Sequence, residues 1–182
     1  MIAVALDVAA LPIAIAGRGS AALRRLRALR AGGARDLKLF TDQLGELQAA
    51  GAATLRPWLP DRIDLVGLRA LWVAGLPDDT AISLAALARS ERVLVNVEDR
   101  PELCDFHSVA EVRRGDLLLT VSTGGASPGL AARIRARLAA EFGPEWADRL
   151  ALLREHRAAW RRQGRDAAAL TDALLHANGW LT

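Results

Sequence analysis

The chain of 182 residues has no tyrosine, one cysteine, one methionine and three histidines. Cys104 has no second thiol to pair with, so an internal disulfide and a cysteine metal cluster are both excluded, and a reducing cytoplasm is the expected compartment. Lysine is nearly absent as well: Lys38 stands alone and every other basic residue is arginine. No run reaches the roughly 18 apolar residues that a membrane span needs, so no membrane partner is expected. The apolar start MIAVALDVAALPIAIAG carries Asp7 and lacks a basic n-region, so it reads as the approach to a strand and not as a signal peptide. Aromatic residues make up only 4%, and the arginines are scattered beside 21 acids without a basic tail. Little is left to stack on bases, and nucleic acid is not an expected partner.

What is present is a core. Hydrophobic residues make up 52% of the chain, enough for one packed domain with or without a small appendage. The formal charge is +3 and the pI about 10.3. The arginine bias has two readings, a GC-rich genome or an anionic partner that a guanidinium fork would grip in bidentate fashion. A polyanionic small molecule fits the second.

Short apolar runs recur at Pro12–Ala16, Leu37–Phe40, Leu71–Ala74, Arg92–Asn96 and Leu117–Val121, with a weaker one near Ala53–Arg56. Continuous runs of this length suit strands buried on both faces of a parallel sheet. Helical patterns lie between them. Leu23, Leu26 and Leu29 share one face of a helix whose other face carries Arg24, Arg25, Arg27 and Arg30; Gly32 and Gly33 end it. A second helix is expected over Asp78–Ala88, with Leu84, Leu87 and Ala88 inward. The alternation predicts an α/β fold, a Rossmann-like, doubly wound and mostly parallel sheet. After Val121 only helices are expected: one from Ser127 and Pro128, broken at Gly143–Pro144, then Glu145–Gln163 and Ala167–Ala177. The expected organisation is a nucleotide-binding domain over residues 1–115, a strand-and-helix dimerisation segment over 116–143, and a small helical region over 144–182.

Three constellations carry chemistry. In LPIAIAGRGSAALRRLRAL a strand runs into G-x-G-x-x-A and then an amphipathic helix, the context that a dinucleotide fingerprint requires. Gly17 permits the tight turn, Gly19 lets backbone approach a pyrophosphate, and Ala22 lets the helix pack closely. Asp42, after LKLF, is placed to bind the adenosine ribose. The bland alternative is a Rossmann-shaped domain whose glycines only make a turn. In VLVNVEDRPELCDF, Asp99 follows a buried strand at the end where open α/β sheets place ligands. It would accept a proton there if burial raised its basicity, or it is simply a turn former before Arg-Pro. Glu98, Glu102 and Asp105 read as solvated loop acids. In STGGASPGLAARIRARL, Gly124 and Gly125 precede the Ser127–Pro128 cap and make either an anion cradle or a strand-to-helix elbow. His107 is a ligand, a base or a structural residue beside Phe106.

Taken together, IAGRGSAALRR, VNVEDRPELCDF and RRGDLLLTVSTGGASPGLAARIR resemble the precorrin-2 dehydrogenases, the N-terminal module of siroheme synthase, from about Leu11 to Ala140. The resemblance implies a free-standing, shortened module that oxidises precorrin-2 to sirohydrochlorin with NAD, works as an interlocked homodimer and holds no resident metal. In some members of the family the same site also serves ferrochelatase chemistry. Asp99 falls on the family's proposed general base. Ser20 and Ala21 fall on the cofactor-contacting turn, with Asp42 and Gln43 on the second-strand contacts; Gly17, Arg18, Gly19 and Gly75 complete the expected cofactor set. Asn96, His107, Ser122, Thr123, Gly124 and Gly125 are the expected substrate-side residues, and the arginines would meet the eight carboxylates of a tetrapyrrole. Arg18 departs from the family, standing where glycine is common, so that its side chain would crowd or contact the pyrophosphate. Two rivals remain at this point: an oxidoreductase for another polycarboxylate, and a ligand-sensing module that binds NAD without catalysis. NAD is favoured over NADP because Asp42 would repel a 2′-phosphate, unless Arg35 or Lys38 offsets it.

Overall fold

A computed structural model describes residues 2–48, 54–164 and 167–180. The chain forms two compact units, Met1–Ser108 and Val109–Thr182. In the first unit the elements run β1 (Ile13–Gly17), α1 (Gly19–Ala31), β2 (Leu37–Phe40), α2 (Gly45–Gln48), β3 (Thr54–Arg56), α3 (Arg62–Leu65), β4 (Ala70–Ala74), α4 (Asp78–Ser90), β5 (Leu94–Val97) and a 3₁₀ turn at Pro101–Leu103. The five strands form one sheet in the order β3-β2-β1-β4-β5, and every pairing is parallel.

The core has two layers because the strands are apolar on both faces. Ile13, Ile15, Leu37, Leu39 and Trp72 face Leu23, Leu26 and Leu29 of α1. Ala14, Ala16, Phe40, Leu71 and Val73 face Ala81, Leu84, Ala85 and Ala88 of α4. Each fully buried leucine contributes about 2 kcal/mol, so this apolar stripe holds α1 to the sheet although its other face is crowded with arginine. Leu87, expected inward, is only partly buried against the α4 layer.

Several boundaries differ from the sequence expectation. The fifth strand starts at Leu94 and not at Arg92, because Arg92 takes φ +58° in the turn after α4. The one-turn helices α2 and α3 were not expected. For α3 the local cause is a capping box in which Asp61 and Asp64 each accept the other's backbone N–H, at 3.0 and 3.2 Å. Ala53, the expected start of the weak third strand, lies outside the described residues. The apolar start leads into a strand, its last five residues being β1, while Ile2 and Val4 at its beginning are exposed.

The second unit holds β6 (Ala110–Arg114), β7 (Leu117–Val121), α5 (Pro128–Glu141), α6 (Trp146–Arg162) and α7 (Ala167–Asn178). Leu117–Val121 therefore belongs to an antiparallel hairpin and not to the parallel sheet, with a turn at Gly115 (φ +56°). Three consecutive leucines carry no period to separate the two cases; the Arg-Gly-Asp turn at residues 114–116 was the usable signal. A boundary after residue 115 would cut this hairpin, and the compact units divide seven residues earlier. Ser127 caps α5, its Oγ accepting from Leu130 N–H at 3.2 Å, with Pro128 as the first helical residue. Arg114 donates to the Phe142 and Ala139 carbonyls at 2.9 and 3.1 Å, placing a cation at the α5 C-terminus.

Candidate functional site

Parallel pairing brings the carboxyl ends of the strands to one edge of the sheet. Gly17 is in register with Ala74, Ala16 with Phe40, and Val73 with Val97. The residues just beyond, Arg18–Ala21, Thr41–Gln43, Gly75 and Glu98–Asp99, therefore emerge along the same edge. The sheet order reverses at β1, with β2 on one side and β4 on the other, and a crevice opens at such a switch point.

The turn after β1 is held by close backbone contact. Arg18 N–H donates to the Ala74 carbonyl at 3.0 Å. Gly75 (φ +67°) lies so near that a Cβ there would stand 2.5 Å from the Arg18 carbonyl oxygen and 3.1 Å from Ala21 Cβ. Gly19 is different. It takes φ +56°, yet a Cβ added to it would meet no atom within 4 Å. The open space beside it is a cleft of about 490 Å³ lined by Gly19, Ser20, Gln43, Leu44, Gly45 and Leu47. The first amides of α1 face no intrahelical acceptor, and no side chain caps them. A glycine with free space over it, a helix N-terminus and a cleft of ligand size fit the diphosphate of a dinucleotide.

Arg18 neither crowds nor points at that space. Its Nε and Nη2 each donate to one oxygen of Asp42, both at 2.6 Å. This contact holds the Asp42 carboxyl below the usual carboxylate range and raises the Arg18 guanidinium. The cation beside the expected ribose acid is thus Arg18, which sequence reasoning had assigned to the pyrophosphate. Thr41, which it missed, is fully buried and braces the next turn: its hydroxyl accepts from Gln43 N–H at 3.2 Å and donates to the Gln43 carbonyl at 3.1 Å. A threonine ending a strand before Asp-Gln was the available signal.

Asp99 sits on the turn after β5 with φ +59°, a left-handed conformation that aspartate tolerates better than most residues. Its side chain is exposed at this edge. Its neighbours hold the turn. Glu98 N–H donates to the Val73 carbonyl at 2.9 Å, and the Cys104 sulfur lies 3.2 Å from both the amide nitrogen and the carbonyl oxygen of Val97. Arg100 bridges Asp78 at the start of α4 and Glu102, both at 2.5 Å. The three acids read as solvated loop residues are all paired: Glu98 with Arg24 at 3.2 Å, Glu102 with Arg100, and Asp105 with Arg89 at 2.9 Å. Asp105 also accepts the Val95 amide at 3.0 Å, which makes it a structural anchor and corrects the solvated reading. Asn96 is buried, its amide nitrogen donating to the Phe106 carbonyl at 2.9 Å. His107 is exposed between Phe106, which packs edge-on against Trp72, and Ser108. Arg25, assigned to the solvent face of α1, is half-buried and donates to Ser108 Oγ at 2.7 Å. Burial pushes its guanidinium below the ordinary value, and the Glu98 carboxylate opposes that shift.

Comparison with known proteins fits this edge. The family described as "Putative NAD(P)-binding" matches residues 4–110, more than half of the chain. The chain belongs to this NAD(P)-binding family. A second family, described as "Sirohaem biosynthesis protein central", matches residues 114–141. Among relatives, "Siroheme synthase" of Methylococcus capsulatus is 38% identical over 133 residues, covering 70% of this chain and 28% of that protein. "Siroheme biosynthesis protein met8" of Schizosaccharomyces pombe is 38% identical over 69 residues, covering 37% of this chain and 26% of that protein. The chain thus spans about a quarter of the length of these curated relatives. A solved structure of "SirC, precorrin-2 dehydrogenase" has the same fold, with a TM-score of 0.77, 22% identity, and coverage of 98% of this chain and 89% of that one.

The NAD(P)-binding match takes in every expected cofactor residue: Gly17, Arg18, Gly19, Ser20, Ala21, Asp42, Gln43 and Gly75. Asp99, Asn96 and His107 also lie within it, whereas Ser122, Thr123, Gly124 and Gly125 belong to the second unit. There Ser122 Oγ accepts from Gly124 N–H at 3.2 Å, while the Thr123 hydroxyl accepts from Ser127 N–H at 3.2 Å and donates to its carbonyl at 3.1 Å. Gly124 (φ +62°) and Gly125 (φ +86°) are left with exposed backbone. Among the described residues no helix is long and apolar enough to cross a membrane.

Proposed function

We propose that the chain is an NAD-dependent precorrin-2 dehydrogenase that forms sirohydrochlorin and works as a homodimer in the cytoplasm. The observation that carries this reading is the shared edge: an open fingerprint turn after β1 and an aspartate locked into a left-handed turn after β5. The names of the relatives supply the substrate class. NAD, when bound, supplies the acceptor for a hydride. The chain's own residues do the rest. Gly19, Ser20 and Ala21 present backbone to the diphosphate, and the Asp42–Gln43 turn receives the adenosine end. Asp99 takes the proton on a carboxylate oxygen, its position set by Arg100, Cys104 and the Val73 carbonyl. Arg25 has no carboxylate within ion-pair reach among the described residues, and a half-buried guanidinium of that kind suits a carboxylate of the substrate. The apolar face of α5 supports the homodimer, since Leu130 and Ile134 are 50% and 38% exposed.

The test is anaerobic incubation with precorrin-2 and NAD, following NADH and sirohydrochlorin absorbance. Wild type should turn over, and Asp99→Asn should lose at least about 10²-fold in kcat while still binding NAD. A wild-type protein that binds NAD and never turns over would sink the dehydrogenase reading in favour of a sensor.

A further inference from the structure

We infer that Arg18 and Asp42 act together as a charge-compensated element that lets the adenosine subsite accept NADP about as well as NAD. The inference rests on the dinucleotide reading of this edge and deepens it. A bare carboxylate at the end of β2 would accept the ribose hydroxyls of NAD and repel a 2′-phosphate. Here the carboxylate is not bare. Arg18 lies on it as a fork, with 2.6 Å to each oxygen. The pair carries no net charge, so the repulsion is cancelled where it would arise. Both Asp42 oxygens are already engaged, so the ribose hydroxyls of NAD must share them with a guanidinium. A 2′-phosphate meets that same guanidinium as a partner. The pair is also accessible: the Arg18 and Asp42 side chains are 23% and 40% exposed, and the adjoining Gln43 lines the cleft. Neither Arg35 nor Lys38 makes an ion pair with Asp42.

The net charge of the pair then sets the cofactor ratio, and the two residues have opposite signs. Calorimetric titration of the full chain with NAD and with NADP reads it directly. Wild type should bind the two within about tenfold of each other, Arg18→Ala should shift the ratio at least tenfold toward NAD, and Asp42→Asn should shift it by a similar factor toward NADP. The double variant removes both charges and should return close to the wild-type ratio. Arg18→Gln serves as a second probe that keeps the side-chain length, and a thermal melt confirms folding of each variant. If dinucleotide binds but both single variants stay within about twofold of the wild-type ratio, the inference fails and the cofactor reading stands. If a folded wild type binds neither dinucleotide, the cofactor reading falls and takes the inference with it.

Discussion

At Asp42 the fork of Arg18 favours the charged carboxylate and lowers its affinity for a proton in the folded chain. A depressed folded value means that the pair stabilises the fold fully above the unfolded value, near 3.9. That stabilisation is lost as pH falls through the lower folded value. The groups are partly exposed, so the effect is screened and small. Denaturation of wild type and Asp42→Asn across pH 2–6 (about the range where an aspartate titrates) should show a difference that shrinks at the acid end and in high salt. A gap that widens on acidification would contradict the assignment. At this scale the sequence displayed the glycines and the acid of the fingerprint, because their spacing is local. It did not display where Arg18 points, because that depends on β2 lying beside β1. Asp105 and Cys104 were hidden for the same reason. Each works through a backbone group of β5 that only the folded loop brings near.

Between elements, the two positive-φ glycines of the nucleotide edge should respond differently to one added methyl. Gly75→Ala meets both a left-handed backbone and the Arg18 carbonyl at 2.5 Å, so it should destabilise the fold by about 2 kcal/mol. Gly19→Ala meets only the backbone preference, worth roughly 1 kcal/mol, because nothing stands within 4 Å of its new carbon. In urea denaturation Gly75→Ala should therefore lose more stability. Gly19→Ala should weaken dinucleotide binding at least about tenfold in a chain that still folds. Equal losses of stability would show that the space over Gly19 is not open. The long helices α1 and α4 and the parallel strands of this unit were legible because a one-sided apolar stripe differs from a short continuous apolar run, whereas the one-turn helices α2 and α3 carry no such stripe. The β6–β7 hairpin was not, since unbroken leucine reads alike in either kind of sheet.

For the whole molecule, the two units differ in how they are stabilised. The first has a two-sided core around its sheet. In the second, the buried apolar residues among those described are Val112, Ala131 and Trp146, while Leu130 and Ile134 lie on the open face of α5. Aromatic contacts partly compensate: Arg149 stands 4.9 Å over Trp146 and 5.2 Å over Trp180. If this face pairs with a second copy, Ile134→Glu should convert the dimer to monomer in sedimentation velocity and lower the melting temperature. An unchanged sedimentation coefficient would place the dimer contact elsewhere. The α/β class could be read from the alternation of patterns, whereas the point of division could not, because no glycine- or proline-rich linker marks residues 108–109.

The backbone at Arg18 is fixed by others. Ala74 receives its N–H, Gly75 abuts its carbonyl, and its own φ of −132° is open to any residue. Its side chain adds nothing to the shape of the turn. Position 18 is therefore a site where drift or design could retune the choice of redox currency in a single substitution, with the loop itself left as it stands.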